Sequence, residues 1–271
     1  MERVIPLPHL KPTALNTLVI HLGVAKSGTL PFAGGAIHAQ VLEWLRQGDP
    51  SVSKAIHDSQ YSPLSVSGLM SNRHNAKVGE GDDVYFRVGL LNGKLLNPLL
   101  NGLEESAESS FCLANFPFVL RSIDLLPGGD PWVGSSDYVL LAKMPTVLND
   151  LTLKFISPVS FKLNAGQGIQ LFPLPESVFG NLRRRWNAFA PEEFKLPKIQ
   201  WGEVVYDYVL ETQKVRLANS TEKGAIGWVR YQFPDPEQAR AATILAHFAF
   251  FSGVGRKTAM GMGQVILDKQ D

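Results

Sequence analysis

The order of elements constrains this chain most, because its two halves follow the same one. In the first half, Leu15–Leu22 has the β-branched character of a strand, and Gly34-Gly35 opens a helix with the apolar stripe Ile37, Val41, Leu42 and Leu45. Two strands follow, Tyr61–Leu69 and Asp83–Leu91. Asn97-Pro98 then begins a helix over Leu99–Ala107, and Phe111–Leu125 reads as one long strand. The run Pro127-Gly128-Gly129-Asp130-Pro131 breaks the pattern. The second half starts with a strand over Leu151–Phe161 and a helix over Glu176–Phe189. Val204–Leu217 reads as a hairpin and Gly227–Phe233 as a further strand; a helix over Glu237–Phe251 and a strand over Gln264–Leu267 complete it. A doubled strand–helix–strand–strand–helix–strand order predicts an α+β chain of two tandem ferredoxin-like (βαββαβ) domains, 1–145 and 146–271.

Between the last helix and last strand lies Gly253-Val254-Gly255-Arg256-Lys257-Thr258-Ala259-Met260-Gly261-Met262-Gly263. Two Gly-x-Gly pairs flank an insert with adjacent cations. Glycine adopts positive φ and lets the backbone approach a bulky ligand, and backbone N–H groups beside cations suit a phosphodiester chain. A dinucleotide fingerprint needs strand, loop, helix, whereas here the order is helix, loop, strand. A Walker A loop is excluded too, since Arg256 separates Gly255 from Lys257 and Phe250 stands where the earlier glycine belongs. The alternative is a glycine-rich turn that only lets a helix pack on a sheet.

Histidine titrates near neutrality and is the natural proton carrier at a reacting centre. Asp49-Pro50 reads as an N-cap and first helical residue, and His57 ends the short helix that follows, where a C-terminal dipole favours its charged form. Lys54, three residues earlier, shares its face. His57 is therefore best placed for proton transfer, whereas His38, in the stripe of the earlier helix, suits a packed, hydrogen-bonded core position. His74 lies in a polar, basic loop and His247 among apolar neighbours, which suggests a solvated and a core position respectively. Arg183, Arg184 and Arg185 run beside Trp186 on the second-half helix, with Arg184 opposite the apolar stripe. They form a second cationic feature.

Composition removes several classes. No apolar run approaches the roughly 18 residues of a membrane span, and the N-terminus shows no apolar secretory core, so the expected compartment is the cytoplasm. One cysteine, Cys112, cannot make an internal disulfide or a cysteine metal cage. The net charge of +1 conceals a split. Residues 1–150 carry 11 Lys/Arg against 14 Asp/Glu, and residues 151–271 carry 15 against 11. A local patch in the second half would have to attract an anionic partner.

The glycine spacing with Arg256 and Lys257 near the C-terminus, on this doubled order, resembles the RAMP superfamily, and within it the CRISPR repeat-processing endoribonucleases. The resemblance implies cleavage of repeat RNA without a metal or other cofactor. The 2′-hydroxyl attacks phosphorus and leaves a 2′,3′-cyclic phosphate and a 5′-hydroxyl. It implies a general acid–base histidine in the N-terminal helical region, with His57 at the matching position and His38 the alternative. Leu42 stands where some members carry a tyrosine, and Lys54 is the available substitute for a lysine that others place after the histidine. RNA would lie in the cleft between domains, on Gly253, Gly255, Arg256, Lys257, Gly261, Gly263 and the Arg183–Arg185 helix. Repeat RNA, often a stem-loop, is the expected partner. CRISPR effector subunits or a second copy are further partners that the resemblance allows. It also admits a non-catalytic RNA-binding subunit.

Overall fold

The computed structural model describes residues 11–268 except 58, 72–75, 108, 164–167, 202–204 and 218–219. The N-terminal lobe contains β1 (Ala14–Val24), β2 (Gly28–Thr29), α1 (Gly34–Gly48), α2 (Pro50–His57), β3 (Leu64–Val66), β4 (Lys77–Val78), β5 (Asp83–Leu90) and α3 (Leu96–Glu105). It continues with β6 (Ser110–Leu113), β7 (Phe116–Asp124), β8 (Gly134–Asp137) and α4 (Tyr138–Ala142). The C-terminal lobe contains β9 (Asp150–Val159), β10 (Phe161–Lys162), β11 (Ile169–Gln170), α5 (Pro175–Phe189), β12 (Val205–Arg216), β13 (Thr221–Gln232), α6 (Pro236–Ser252) and β14 (Val265–Leu267).

The two main sheets have one topology. The first runs β3-β5-β1-β7, extended by β6, and the second β12-β13-β9-β14. Counting only the strands of the repeat, each is the order 2-3-1-4, with every pairing antiparallel. The chain is thus two tandem ferredoxin-like folds. Period-two alternation decides which face each strand buries. Leu18, Ile20, Leu22 and Val24 of β1 and Val84, Phe86 and Val88 of β5 pack with Ile37, Val41 and Trp44 of α1 and Leu99 of α3. Leu151, Leu153 and Phe155 of β9 likewise pack with Phe179 and Trp186 of α5 and Phe248 of α6.

Two expected strands differ from the structure. The single strand expected over Phe111–Leu125 is the β6–β7 hairpin, turned at Ala114 and Asn115, both with positive φ. No glycine marks that turn, so the sequence concealed it. Val204–Leu217 is not a hairpin in itself. Val205–Arg216 is one strand, paired with β13 from Val205↔Tyr231 to Arg216↔Thr221 as a long ribbon.

Helix α6 joins the lobes. Its core side chains fill the C-terminal lobe, and its last-turn carbonyls, which no helix can satisfy internally, take donors from elsewhere. Arg87 of β5 donates to Phe250 O, Ser65 of β3 to Phe251 O at 2.7 Å, and Arg185 of α5 to Ser252 O. Two guanidinium groups at a helix C-terminus also meet its negative dipole end. This explains why the final turns of α6 are apolar all round: the C-terminal core lies on one side and β3 and β5 on the other.

Candidate nucleic-acid interface and active site

The glycine stretch lies between the lobes. Gly261 bridges Ser67, just beyond β3, and the short 3₁₀ turn Thr258–Met260 packs against β3 and α1. A Cβ on Gly34 would meet Met260 O at 2.1 Å, so the first turn of α1 sits directly on the loop. Gly253, Gly255, Gly261 and Gly263 all have positive φ, as the spacing suggested. A Cβ on Gly263 would lie 2.0 Å from Val254 O, and one on Gly255 2.6 Å from Ser160 O. Gly253 and Gly263 are buried, and the backbone they admit is the protein's own rather than a ligand's. Gly261 is also buried, against Gly34, Gly68 and the Phe32 ring.

Arg256 and Lys257 are half-buried and share one partner. Glu222, at the turn end of β13, accepts from Lys257 Nζ at 2.7 Å and from Arg256 Nη1 at 3.2 Å. The Lys257 hydrogen bond, aided by the charges of both cations against the opposing effect of burial, holds the Glu222 carboxyl below the usual glutamate range. Lys257 has φ 56°, a left-handed conformation uncommon for a residue with a side chain.

The three arginines of α5 separate. Arg185 is buried and donates to Ser252 O, Thr258 Oγ1, Ser62 O and Leu64 O, with burial pushing its pKa down to about 10 despite Tyr138. It is a strut between lobes, which corrects its expected place on the RNA surface. Arg183 is half-buried and donates to Leu196 O at 3.4 Å, and Arg184 alone of the three is exposed.

An open cleft of about 800 Å³ lies where α1, the loop and the β12–β13 ribbon meet. Gly35 and Ala36 of α1, Lys257 and Met260 of the loop, and Arg216 and Ser220 of the ribbon line it, with Phe32 beside them. No Asp or Glu is among its described lining residues. The positive end of α1, with no acid in its first turn, adds to the field of the two cations. His38 stands three residues beyond Gly35, on the same helical face, and is half-buried. Burial lowers its pKa below the ordinary histidine value.

His57 ends α2 as expected, and Asp49 opens that helix by accepting from Ser51 N at 2.9 Å. The His57 side chain lies outside what the structure describes, as does all of His74. Lys54 is exposed on α2, and none of the described residues of α2 lines the cleft. His247 is half-buried in α6, and burial lowers its pKa as well.

Among the described residues, one group of metal-ligand character lies beyond what local spacing could reveal. Pairing of β1 with β7 sets His21 Nε2 2.9 Å from Asp124 Oδ2, and Asp130 offers a third ligand atom within 4.8 Å of both. Arg216, Glu222 and Phe32 were also absent from the expectations. None belongs to a local motif, because the ribbon carries the first two to the loop across the fold.

Residues 153–265 match the family model of the CRISPR-associated endoribonuclease Cas6. A Thermus thermophilus Cas6 in a product complex aligns at TM-score 0.80 and 22% identity, covering 94% of this chain and all of that one. The chain has the Cas6 fold. A second Cas6 product complex aligns at TM-score 0.73 and 26% identity, with the same coverage. A RAMP protein described as binding different RNA substrates aligns at TM-score 0.61 and 18% identity over 94% of this chain and all of that one. No curated protein matches. The expected likeness to RAMP-type CRISPR endoribonucleases is therefore borne out, and the match covers the C-terminal lobe with its loop. No helix among the described residues is long and apolar enough to cross a membrane.

Proposed function

We propose that this Cas6-like chain is a metal-independent endoribonuclease that cuts CRISPR precursor RNA within its repeats, leaving 2′,3′-cyclic phosphate and 5′-hydroxyl ends. The observation that carries this reading is the cleft itself: a helix N-terminus, Lys257 and Arg216 around a space free of described carboxylates, with His38 one turn along the same face. That arrangement suits a phosphodiester. The cations and the helix end would stabilise the charge that develops on the phosphorane. An imidazole would take the proton of the attacking 2′-hydroxyl, or return one to the departing 5′ oxygen as the P–O5′ bond breaks.

His38 is preferred to His57 for this role, reversing the order expected from sequence. The helix face it shares with Gly35 is the one that borders the cleft. A Cas6 with a histidine changed to alanine is among the similar structures, which supports a histidine in the family's chemistry. Arg256, Lys257 and exposed Arg184 would meet phosphates, with Gly35 leaving room for the chain. Stem recognition would rest on shape and phosphate contacts.

The test is cleavage of repeat RNA from candidate arrays in EDTA, with products assayed for cyclic-phosphate ends. Cutting at one position that persists in EDTA and vanishes in His38→Ala is the expected result. Loss of cutting on chelation would overturn the metal-free chemistry and direct attention to His21, Asp124 and Asp130. Tight binding with no cutting by the wild-type protein would establish the non-catalytic RAMP subunit instead.

A further inference from the structure

Beside the cleft lies a second, smaller pocket between the lobes, of about 290 Å³. We infer that it holds one unpaired base of the RNA next to the segment in the cleft. This rests on the ribonuclease reading above and adds to it a subsite that decides which RNA is accepted. Phe32 lines both spaces and is 38% exposed, so it stands as the partition between them. A strand leaving the cleft along Phe32 meets the pocket next.

The pocket's character matches a base rather than a phosphate. Its volume lies at the bottom of the range of small-molecule sites, about 300–1,000 Å³, which favours one ring system over a longer stretch of chain. Its walls are largely apolar and include the Trp132 and Phe32 rings, while buried Arg87 and Gln264 supply polar groups. Those two are fixed: Arg87 donates to Gln264 Oε1 at 2.9 Å and to Trp132 O at 3.0 Å, and Gln264 Nε2 donates to Val66 O at 3.0 Å. A preformed apolar slot with immobile polar groups suits a flat aromatic ring with hydrogen-bonding edges. No Asp or Glu is among the described lining residues, and Lys214 of the ribbon supplies a cation to meet an attached phosphate.

Gly68, in the wall, gives the most direct indication. Gly34, Gly261 and Gly263 are explained by backbone contacts or positive φ, but Gly68 has neither. A Cβ there would meet nothing within 4 Å. Packing does not require a glycine at this position, and a side chain there would enter open space at the pocket wall.

The same feature provides the test, because a Cβ at 68 meets no atom of the fold within 4 Å and a longer side chain there would occupy the open space. Wild-type protein and Gly68→Leu are compared for affinity to the repeat RNA that the wild type cuts, and to the same RNA made abasic at each unpaired position in turn. Stacking of one base is worth roughly five- to a hundredfold in affinity. One abasic position should weaken wild-type binding by that factor. Gly68→Leu should weaken binding of intact RNA similarly, lose nothing further at that position, and keep its salt dependence and melting temperature. Equal affinity of Gly68→Leu and wild type for intact RNA would overturn the inference. So would a loss that the abasic substitution adds to in full, or a drop in melting temperature that accounts for the loss. If the wild-type protein neither binds nor cuts repeat RNA, this inference fails together with the reading beneath it. Normal cutting without coupling removes the subsite alone.

Discussion

Replacing Glu222 with glutamine should make the fold weaker and RNA binding tighter, because the carboxylate occupies the cations that RNA would use. Its side chain is 11% exposed, against 28% for Arg256 and 24% for Lys257, so this is a partly desolvated triad rather than a surface pair. Charge-assisted hydrogen bonds of this kind are worth about 1.5–3 kcal/mol each, and the quarter exposure of both cations brings in solvent screening. Glutamine keeps the shape and one neutral acceptor, so the expected loss of stability is about 1–2 kcal/mol. Melting temperature should fall by roughly 2–4 °C per kcal/mol. If phosphate must displace Glu222 from Lys257 and Arg256, the same 1–2 kcal/mol reappears as RNA affinity, about 5–30-fold. The pH dependence has a fixed sign. The carboxyl titrates below an unfolded glutamate, so its stabilisation is fully present above the unfolded value of about 4.3 and is lost as pH falls through the lower folded one. Wild type and Glu222→Gln should therefore converge in melting temperature as pH falls through the lowered Glu222 value. Thermal melts across pH and filter binding at fixed salt measure both halves. A variant that loses stability without gaining RNA affinity would refute the competition and leave Glu222 as a structural partner only.

Arg256→Ala with Lys257→Ala should flatten the dependence of RNA affinity on salt by nearly one unit of log–log slope per lost phosphate contact; an unchanged slope removes the loop from the interface. His38→Ala should abolish cutting with RNA affinity kept. The pH profile of kcat/KM should have one limb below the ordinary histidine value near 6.5, because burial favours neutral His38; a sole limb at or above that value would exclude it. Arg185→Met should lower stability by about 2–4 kcal/mol, since the Ser252, Ser62 and Leu64 carbonyls lose their donor, and chemical denaturation should show a lowered midpoint. Gly263→Ala should leave little folded protein at 37 °C, because it combines a contact of 2.0 Å to Val254 O with φ 68°. A normal melt for that variant would show that the loop can rearrange.

The fold could be read from the sequence because alternation and helical stripes are local, and both halves repeated them. The site was only half legible, and the glycine stretch shows why. Positive φ at Gly253, Gly255, Gly261 and Gly263 reports that something must come close, and Val254 O, Ser160 O and Gly34 are what does. Nothing in the spacing distinguishes the chain's own backbone from a ribonucleotide's. The arginines carry the same ambiguity. Arg183, Arg184 and Arg185 are identical letters in a row, yet a rotation of about 100° per residue makes Arg185 an internal strut and leaves Arg184 exposed. The structure places the 258–261 part of the loop at the contact between lobes, against α1 and β3, while Gly253, Gly255 and Gly263 pack within the C-terminal lobe. Gly261, against Gly34, lets α1 dock so that the helix N-terminus and His38's face border the cleft, and the loop's cations point across to Glu222 of the ribbon. The loop therefore builds the site before it touches a ligand. Substitutions at Gly253 and Gly263 should act through folding, whereas those at Arg256 and Lys257 should act on RNA binding as well as on the stabilising pairing with Glu222.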